Sequence, residues 1–175
     1  MRRALPIAAA GLLVAWLAAC ASPQPISTVQ QVDLPRFMGD WYVIASIPTV
    51  FERGAHNAIE NYRLDDDGSI ATRFSFRDGG FDGPLEVYDA RGFVEDQESN
   101  AVWQMQFLWP FEAEYRIVYL TDDYTRTIIG RSQRDYAWIM ARESAIEERE
   151  LADMLAFLGA QGYDISLVER VPQRW

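Results

Sequence analysis

From Trp41 onward the chain alternates short β-rich runs with turn chemistry at close, fairly even spacing. DWYVIASI (40–47) leads into the loop PTVFERGAHN, AIENYRL (58–64) into the turn DDDGS, and IATRFSF (70–76) into RDGGFDG. LEVYDARGFV, AVWQMQF, YRIVYL, TRTIIG and YAWIMA follow, parted by EDQESN, LWPFEA, TDDY and RSQRD. Eight strands in hairpin order predict an all-β, up-and-down antiparallel meander, which loses its exposed edges by closing into an eight-stranded barrel. A two-layer sandwich is the competing all-β architecture, and it usually needs longer crossovers than these turns supply.

Helical periodicity comes only after the strands. Ser144 and Glu147 stand at capping-box spacing, and Ile146, Leu151, Met154, Leu155 and Leu158 recur at helical intervals. Gly159 or Gly162 ends this helix, whose single apolar stripe predicts docking outside the barrel wall. The last stretch, YDISLVERV, predicts a short strand returning beside the first.

What precedes the strands decides the compartment. Residues 1–19 combine Arg2 and Arg3 with an apolar run and small residues at Ala18 and Ala19, the layout of a secretory leader and too short for a stable span. Leu17-Ala18-Ala19-Cys20 resembles the lipobox of bacterial lipoproteins, which implies cleavage before Cys20 and acylation of its sulfur. Each buried methylene of such chains contributes about 0.8 kcal/mol, so the protein is expected to be anchored to a membrane through its acylated N-terminus without spanning it. Residues 20–33 then read as the acylated cysteine and a Ser/Pro/Gln-rich tether, and residues 34–175 as the folded domain. Ala21 stands where an aspartate would suggest retention at the inner membrane, so the expected address is the outer membrane, facing the periplasm.

Cys20 is the only cysteine, so no disulfide can hold the domain, and its stability must come from a core. The net charge of −10 sets the protein apart from nucleic-acid binders and from proteins attracted to anionic surfaces. The one histidine, His56, falls in the loop between the first two strands and reads as solvated. With no second thiol, transition-metal clusters and Cys/His nucleophilic pairs are not expected, and neither is a cofactor. Asp65-Asp66-Asp67-Gly68 is too short for a twelve-residue calcium loop and reads as a hairpin turn.

Strand parity sorts the candidate interior, because successive side chains point to opposite faces. Trp103, Met105 and Phe107 separate from Gln104 and Gln106, and Phe74 and Phe76 from Arg73, Ser75 and Arg77. Tyr115, Ile117 and Tyr119 share a face against Arg116, and Tyr136 shares one with Trp138. Glu60 has the parity of Ala58 and Tyr62: either it faces inward, where a carboxylate needs a partner, or that face is solvated.

Three stretches carry a family resemblance. Gly39-x-Trp41-Tyr42 resembles the signature opening the first barrel strand of lipocalins, TDDY (Thr121 to Tyr124) their second signature, and Arg142 after AWIM their third. FERG, WPFEAEYRIVYL and RDYAWIMAR, with the lipobox, resemble the bacterial outer-membrane lipocalins and their apolipoprotein D-like relatives. The resemblance implies that Trp41 plugs the closed end of the barrel, that Arg142 packs across its ring, and that Tyr88, Ala90 and Gly92 point inward. It further implies a cavity for a fatty acid or lysophospholipid, although the aromatic interior is equally compatible with a filled core. An enzyme using Glu60 or a tyrosine as acid or base is the alternative, for which the sequence supplies no nucleophile with an evident base. A contact protein working through the loop VFERGAH is a third reading, and the oligomeric state, monomer or weak dimer, is left open.

Overall fold

The computed structural model describes residues 24–108 and 110–175; the leader and Cys20 lie outside the described residues. A short helix α1 (Leu34–Phe37) leads into strands β1 (Gly39–Ile47), β2 (Ala55–Leu64), β3 (Ile70–Asp78) and β4 (Leu85–Val94). Strands β5 (Val102–Leu108), β6 (Phe111–Leu120), β7 (Arg126–Gly130) and β8 (Ala137–Ala141) follow, then helix α2 (Glu148–Ala160), a 3-10 turn (Ile165–Leu167) and β9 (Glu169–Arg170).

Each of β2 to β7 pairs antiparallel with the next, and β1 pairs with both β8 and β2, so the sheet closes on itself. Closure satisfies both edges of the meander. The β1–β2 ladder stops at Tyr42↔Ile59, leaving the second half of β1 short of a partner on that side. There β9 lies against Ala45 and Ser46, as the final stretch of the sequence predicts. Gln173 Nε2 then donates to the Val43 and Ala58 carbonyls, 2.8 and 3.1 Å, stitching the gap with the C-terminal tail.

Alternation along the strands builds two cores. The inner one gathers Phe37, Trp41, Tyr62, Ile70, Trp103 and Ile117; the outer one sets Ile44, Ile128 and Ile139 against Leu151, Met154 and Leu158 of α2. The helix therefore docks outside the wall, but its cap is not Ser144. Glu147 is the N-cap and closes a capping box with Glu150. The cap therefore lies three residues beyond Ser144, and Arg126 pairs with Glu150 of the first turn and with Glu143 ahead of it. Gly159 stays inside the helix, and Gly162, with φ +89°, follows its end.

Two further expectations change. Residues 24–33 do not form a free tether: Ile26 and Val32 are buried, and backbone N–H groups of Val29 and Val32 donate to the Ile117 and Ser99 carbonyls. Three apolar side chains spaced by polar ones are enough to pin an extended segment to the wall. His56 belongs to β2 rather than the loop, with its Nδ1 2.9 Å from the Gly54 carbonyl oxygen and its ring edge-on to Phe81.

Helix docking also depends on a glycine. The Tyr163 hydroxyl accepts from Arg131 N–H and donates to the Arg131 carbonyl, and a Cβ on Gly130 would come within 2.5 Å of that oxygen. We expect Gly130→Ala to cost about 1–3 kcal/mol in urea unfolding, since the tyrosine must retreat from both bonds. An unchanged midpoint would show that the contact can relax freely.

Candidate functional site

The closed end of the barrel is an aromatic floor. Phe37 lies 5.1 Å from Trp41 and 5.6 Å from both Tyr62 and Trp103, and Trp103 stacks on Tyr115 at 5.0 Å. Trp41 is fully buried, its Nε1–H donating to the Phe37 carbonyl at 2.8 Å. Arg142 covers it from outside, with its guanidinium carbon 3.8 Å from the ring centroid. The same guanidinium donates to the carbonyls of Arg36, Phe37, Met38 and Asp40 at 2.7–2.9 Å, satisfying the end of α1. Gly39 is required here by its backbone, since its φ is +95°, which L side chains rarely adopt. The TDDY turn joins the same cluster, since the Tyr124 hydroxyl accepts from Asp33 N–H and Arg36 lies 4.0 Å over the Tyr124 ring. Tyr42 faces the other side of β1, edge-on to Trp175.

Above the floor the interior is hollow. A small chamber of about 50 Å³ reaches Glu60, Tyr62, Ile129 and Met140. It shares Glu52, Phe74, Met105, Phe107, Tyr115 and Trp138 with a wider chamber of about 640 Å³ that opens at the mouth past Tyr88 and Tyr136. That volume falls within the roughly 300–1,000 Å³ usual for small-molecule sites. The larger chamber's wall is mostly apolar, so the site is built to take greasy surface out of water.

The register settles the direction of Glu60. It lies opposite Trp41 on one side and Phe74 on the other, both of which point inward. Burial raises its carboxyl to about 8, the nearby Glu52 carboxylate pushes the same way, and the Tyr62 hydroxyl partly offsets them. Glu52, on the β1–β2 loop, is raised by burial too, while Thr49 N–H at 3.0 Å and Trp138 Nε1–H at 3.2 Å donate to it and pull it back. The Tyr62 and Tyr115 hydroxyls share a hydrogen bond of 2.5 Å, and burial raises both phenols. The deep end is thus a weakly acidic polar patch in an apolar wall. Among the described residues Arg131 is the one cation on the wall of the wider chamber, near the mouth, paired with Asp135 at 3.2 Å.

Of the residues that parity and resemblance single out, Glu60, Tyr62, Phe74, Tyr88, Met105, Phe107, Tyr115 and Trp138 border one or both chambers. Phe76, Trp103 and Ile117 are buried in packed interior instead, Phe76 against the Phe74 and Tyr88 rings. Ala90 and Gly92 point inward, and Gly92 leaves room for Met105 and Trp103. Tyr119 is a correction: the β6–β7 ladder slips between Ile117 and Tyr119, so Val118 and Tyr119 both turn outward. Tyr119 packs on Phe157 of α2, 5.4 Å between centroids, and has no place in the cavity. Glu52 and Arg131 escape the parity rule because they lie on loops, and FERG, notable for its resemblance, is the one signal that could have led to Glu52. Among the described residues no three His, Cys, Asp or Glu side chains are arranged to hold a metal ion.

A closed eight-stranded barrel with an indole floor, an arginine cap and a hollow apolar interior defines a ligand-binding β-barrel. A model of the lipocalin-like domain matches residues 32–173, and the chain belongs to the lipocalin family. It is 29% identical over 170 residues to the outer membrane lipoprotein Blc of Escherichia coli (strain K12), covering 94% of each chain. It is 27% identical over 159 residues to apolipoprotein D of Macaca fascicularis, covering 85% of this chain and 79% of that one. Among solved structures, insecticyanin from Manduca sexta superposes with a TM-score of 0.66 at 18% identity, covering 83% of each chain, a likeness of fold. As a lipocalin, the protein is a hydrophobic ligand binder.

Proposed function

We propose that the protein is a lipid-anchored carrier of the outer membrane that holds a single-chain amphiphile, a fatty acid or lysophospholipid, for storage, transport or membrane maintenance. The observation that carries this is the apolar cavity of about 640 Å³ opening at one end of the barrel. The name outer membrane lipoprotein, borne by the Escherichia coli relative, and the LAAC sequence ending at Cys20 support the location. With Glu60 titrating near 8, its side chain is mostly uncharged at neutral pH and tolerates an alkyl chain beside it. A tail-first ligand then leaves its head group at the mouth, within reach of Arg131.

On this reading the buried acids and phenols carry out no chemistry, and the ligand leaves unchanged. Trp138 borders both chambers and is half-buried, so a long-chain fatty acid or lysophospholipid should quench or shift tryptophan fluorescence saturably. Trp138→Ala should remove most of that signal and weaken retention about tenfold, as expected for an aromatic wall residue. No saturable response across a broad lipid panel, or recovery of a transformed ligand, would defeat the proposal.

A further inference from the structure

The mouth of the barrel carries an apolar rim. Val50 and Phe51 on the β1–β2 loop are 67% and 70% exposed, and Phe107 and Phe111 across the β5–β6 connection are 59% and 73% exposed. Leu85, at the start of β4, adds a third side to the rim. All three connections lie at one end, since β1, β3 and β5 finish there while Trp41 and Arg142 hold the other. Single exposed apolar side chains are ordinary, but a ring of them around an opening marks a surface built for contact.

The path of the N-terminal segment says what that contact is. Asp33 is held at the closed end by Tyr124, Val32 by Ser99 beside it, and Val29 by Ile117 further up β6. Gln24 has reached the opposite end, where its carbonyl accepts from Arg134 on the β7–β8 connection. The segment thus climbs the wall and leaves it at the mouth. Cys20 is four residues before Gln24, and four residues span at most about 14 Å. A strand of ten residues covers about 33 Å, so an acyl group on Cys20 can reach a bilayer beside the mouth and cannot place one under the floor.

We propose that the protein sits mouth-down, with Val50, Phe51, Leu85, Phe107 and Phe111 immersed in the surface of the bilayer that holds its anchor. The contact is apolar, not electrostatic, in keeping with the net charge of −10, and it lets an amphiphile pass between leaflet and cavity without crossing water. The orientation rests on acylation of Cys20 as well as on the rim.

The test uses the full acylated chain in vesicles of phosphatidylethanolamine and phosphatidylglycerol. With the Cys20 sulfur consumed by lipid, Phe51→Cys, Phe111→Cys or, at the closed-end β2–β3 turn, Asp66→Cys supplies one thiol for a polarity-sensitive fluorophore. Labels at 51 and 111 should shift to the blue and be quenched by brominated lipid, and the label at 66 should behave as in water. Phe51→Ser combined with Phe111→Ser alters only exposed side chains; it should keep the anchor and lose quenching of a label placed by Leu85→Cys. Equal or stronger quenching at 66 overturns the orientation, as does rim shielding that grows with protein concentration without vesicles, which makes the rim a contact between copies. Mass spectrometry separates the two failures: absence of the acyl mass at Cys20 overturns the anchor, and unquenched rim labels with that mass present overturn the orientation alone.

Discussion

Replacing Glu60 with glutamine should stabilise the folded protein by about 3–5 kcal/mol at pH 9 and change little at pH 4. In the folded state its carboxyl titrates at about 8 against an ordinary 4.5, because burial and then the Glu52 carboxylate disfavour the charge. Between those values the folded protein keeps a proton that the unfolded chain has released, so stability falls as pH rises through this window. Below 4.5 both states are protonated and nothing is lost; above 8 both are ionised and the whole penalty applies. The full linkage amounts to at most about 5 kcal/mol, and the contact Glu60 keeps with the cavity lowers it towards 3. Glu52, raised in the same direction, adds to the slope. Urea unfolding at pH 5, 7 and 9 measures this directly: parallel profiles for the native protein and Glu60→Gln would show that the carboxyl is solvated. The ionisation of folded Glu60 places negative charge in the cavity, so fatty acid binding should weaken as pH rises through about 8, where the decline in stability levels off.

Arg142→Ala should cost about 3–5 kcal/mol, a fall in Tm of about 10 °C for a domain of this size. One guanidinium spans four carbonyls and covers an indole, so its loss leaves the end of α1 unsatisfied and the face of Trp41 uncovered. Arg142→Lys should recover only part of this, because a compact ammonium cannot reach four acceptors in the plane of a stacked fork. Loss of less than 1 kcal/mol in Arg142→Ala would mean that water replaces the arginine without penalty and that the floor holds by apolar packing alone.

Most of the barrel was legible because a meander depends on local signals. Alternation in VWQMQF and IATRFSF separates the two faces, and turn residues such as those of DDDGS separate the strands. The misreadings share one physical origin, long-range contact. Tyr119 has the parity of Ile117 until a bulge at Val118 turns both Val118 and Tyr119 onto α2. Ser144 has the spacing of a cap, but it falls in a bend after β8, and the cap is Glu147, whose partner Glu150 also pairs with Arg126 from β7. The polar composition of residues 24–33 conceals three apolar anchors whose partners lie on β6 and at the closed end.

The site divides in the same way. Through the family resemblance, the signature residues Gly39, Trp41 and Arg142 mark the floor before any contact is seen, and the positive φ at Gly39 and the guanidinium over the indole agree with it. Tyr42 of the same signature faces out, and Tyr124 joins the floor only through contacts with Asp33 and Arg36. Cavity polarity is different. Whether Glu60 meets water or Glu52 depends on the register opposite Trp41 and on a loop folding back over the mouth, neither of which is written within a few neighbouring residues.

By itself, then, the sequence determined the class of fold, since period and turn chemistry act over short stretches of chain, while its resemblance to lipocalins and to a lipobox supplied the position of the floor and the expectation of an anchored, greasy binder. Only the tertiary structure decided which aromatics pack solid and which border a cavity, that two acids line it, and that residues 24–33 climb the wall to the mouth. Those are properties of surfaces brought together from distant parts of the chain, and ladder slips, loop closure and desolvation fix them only once the barrel has closed.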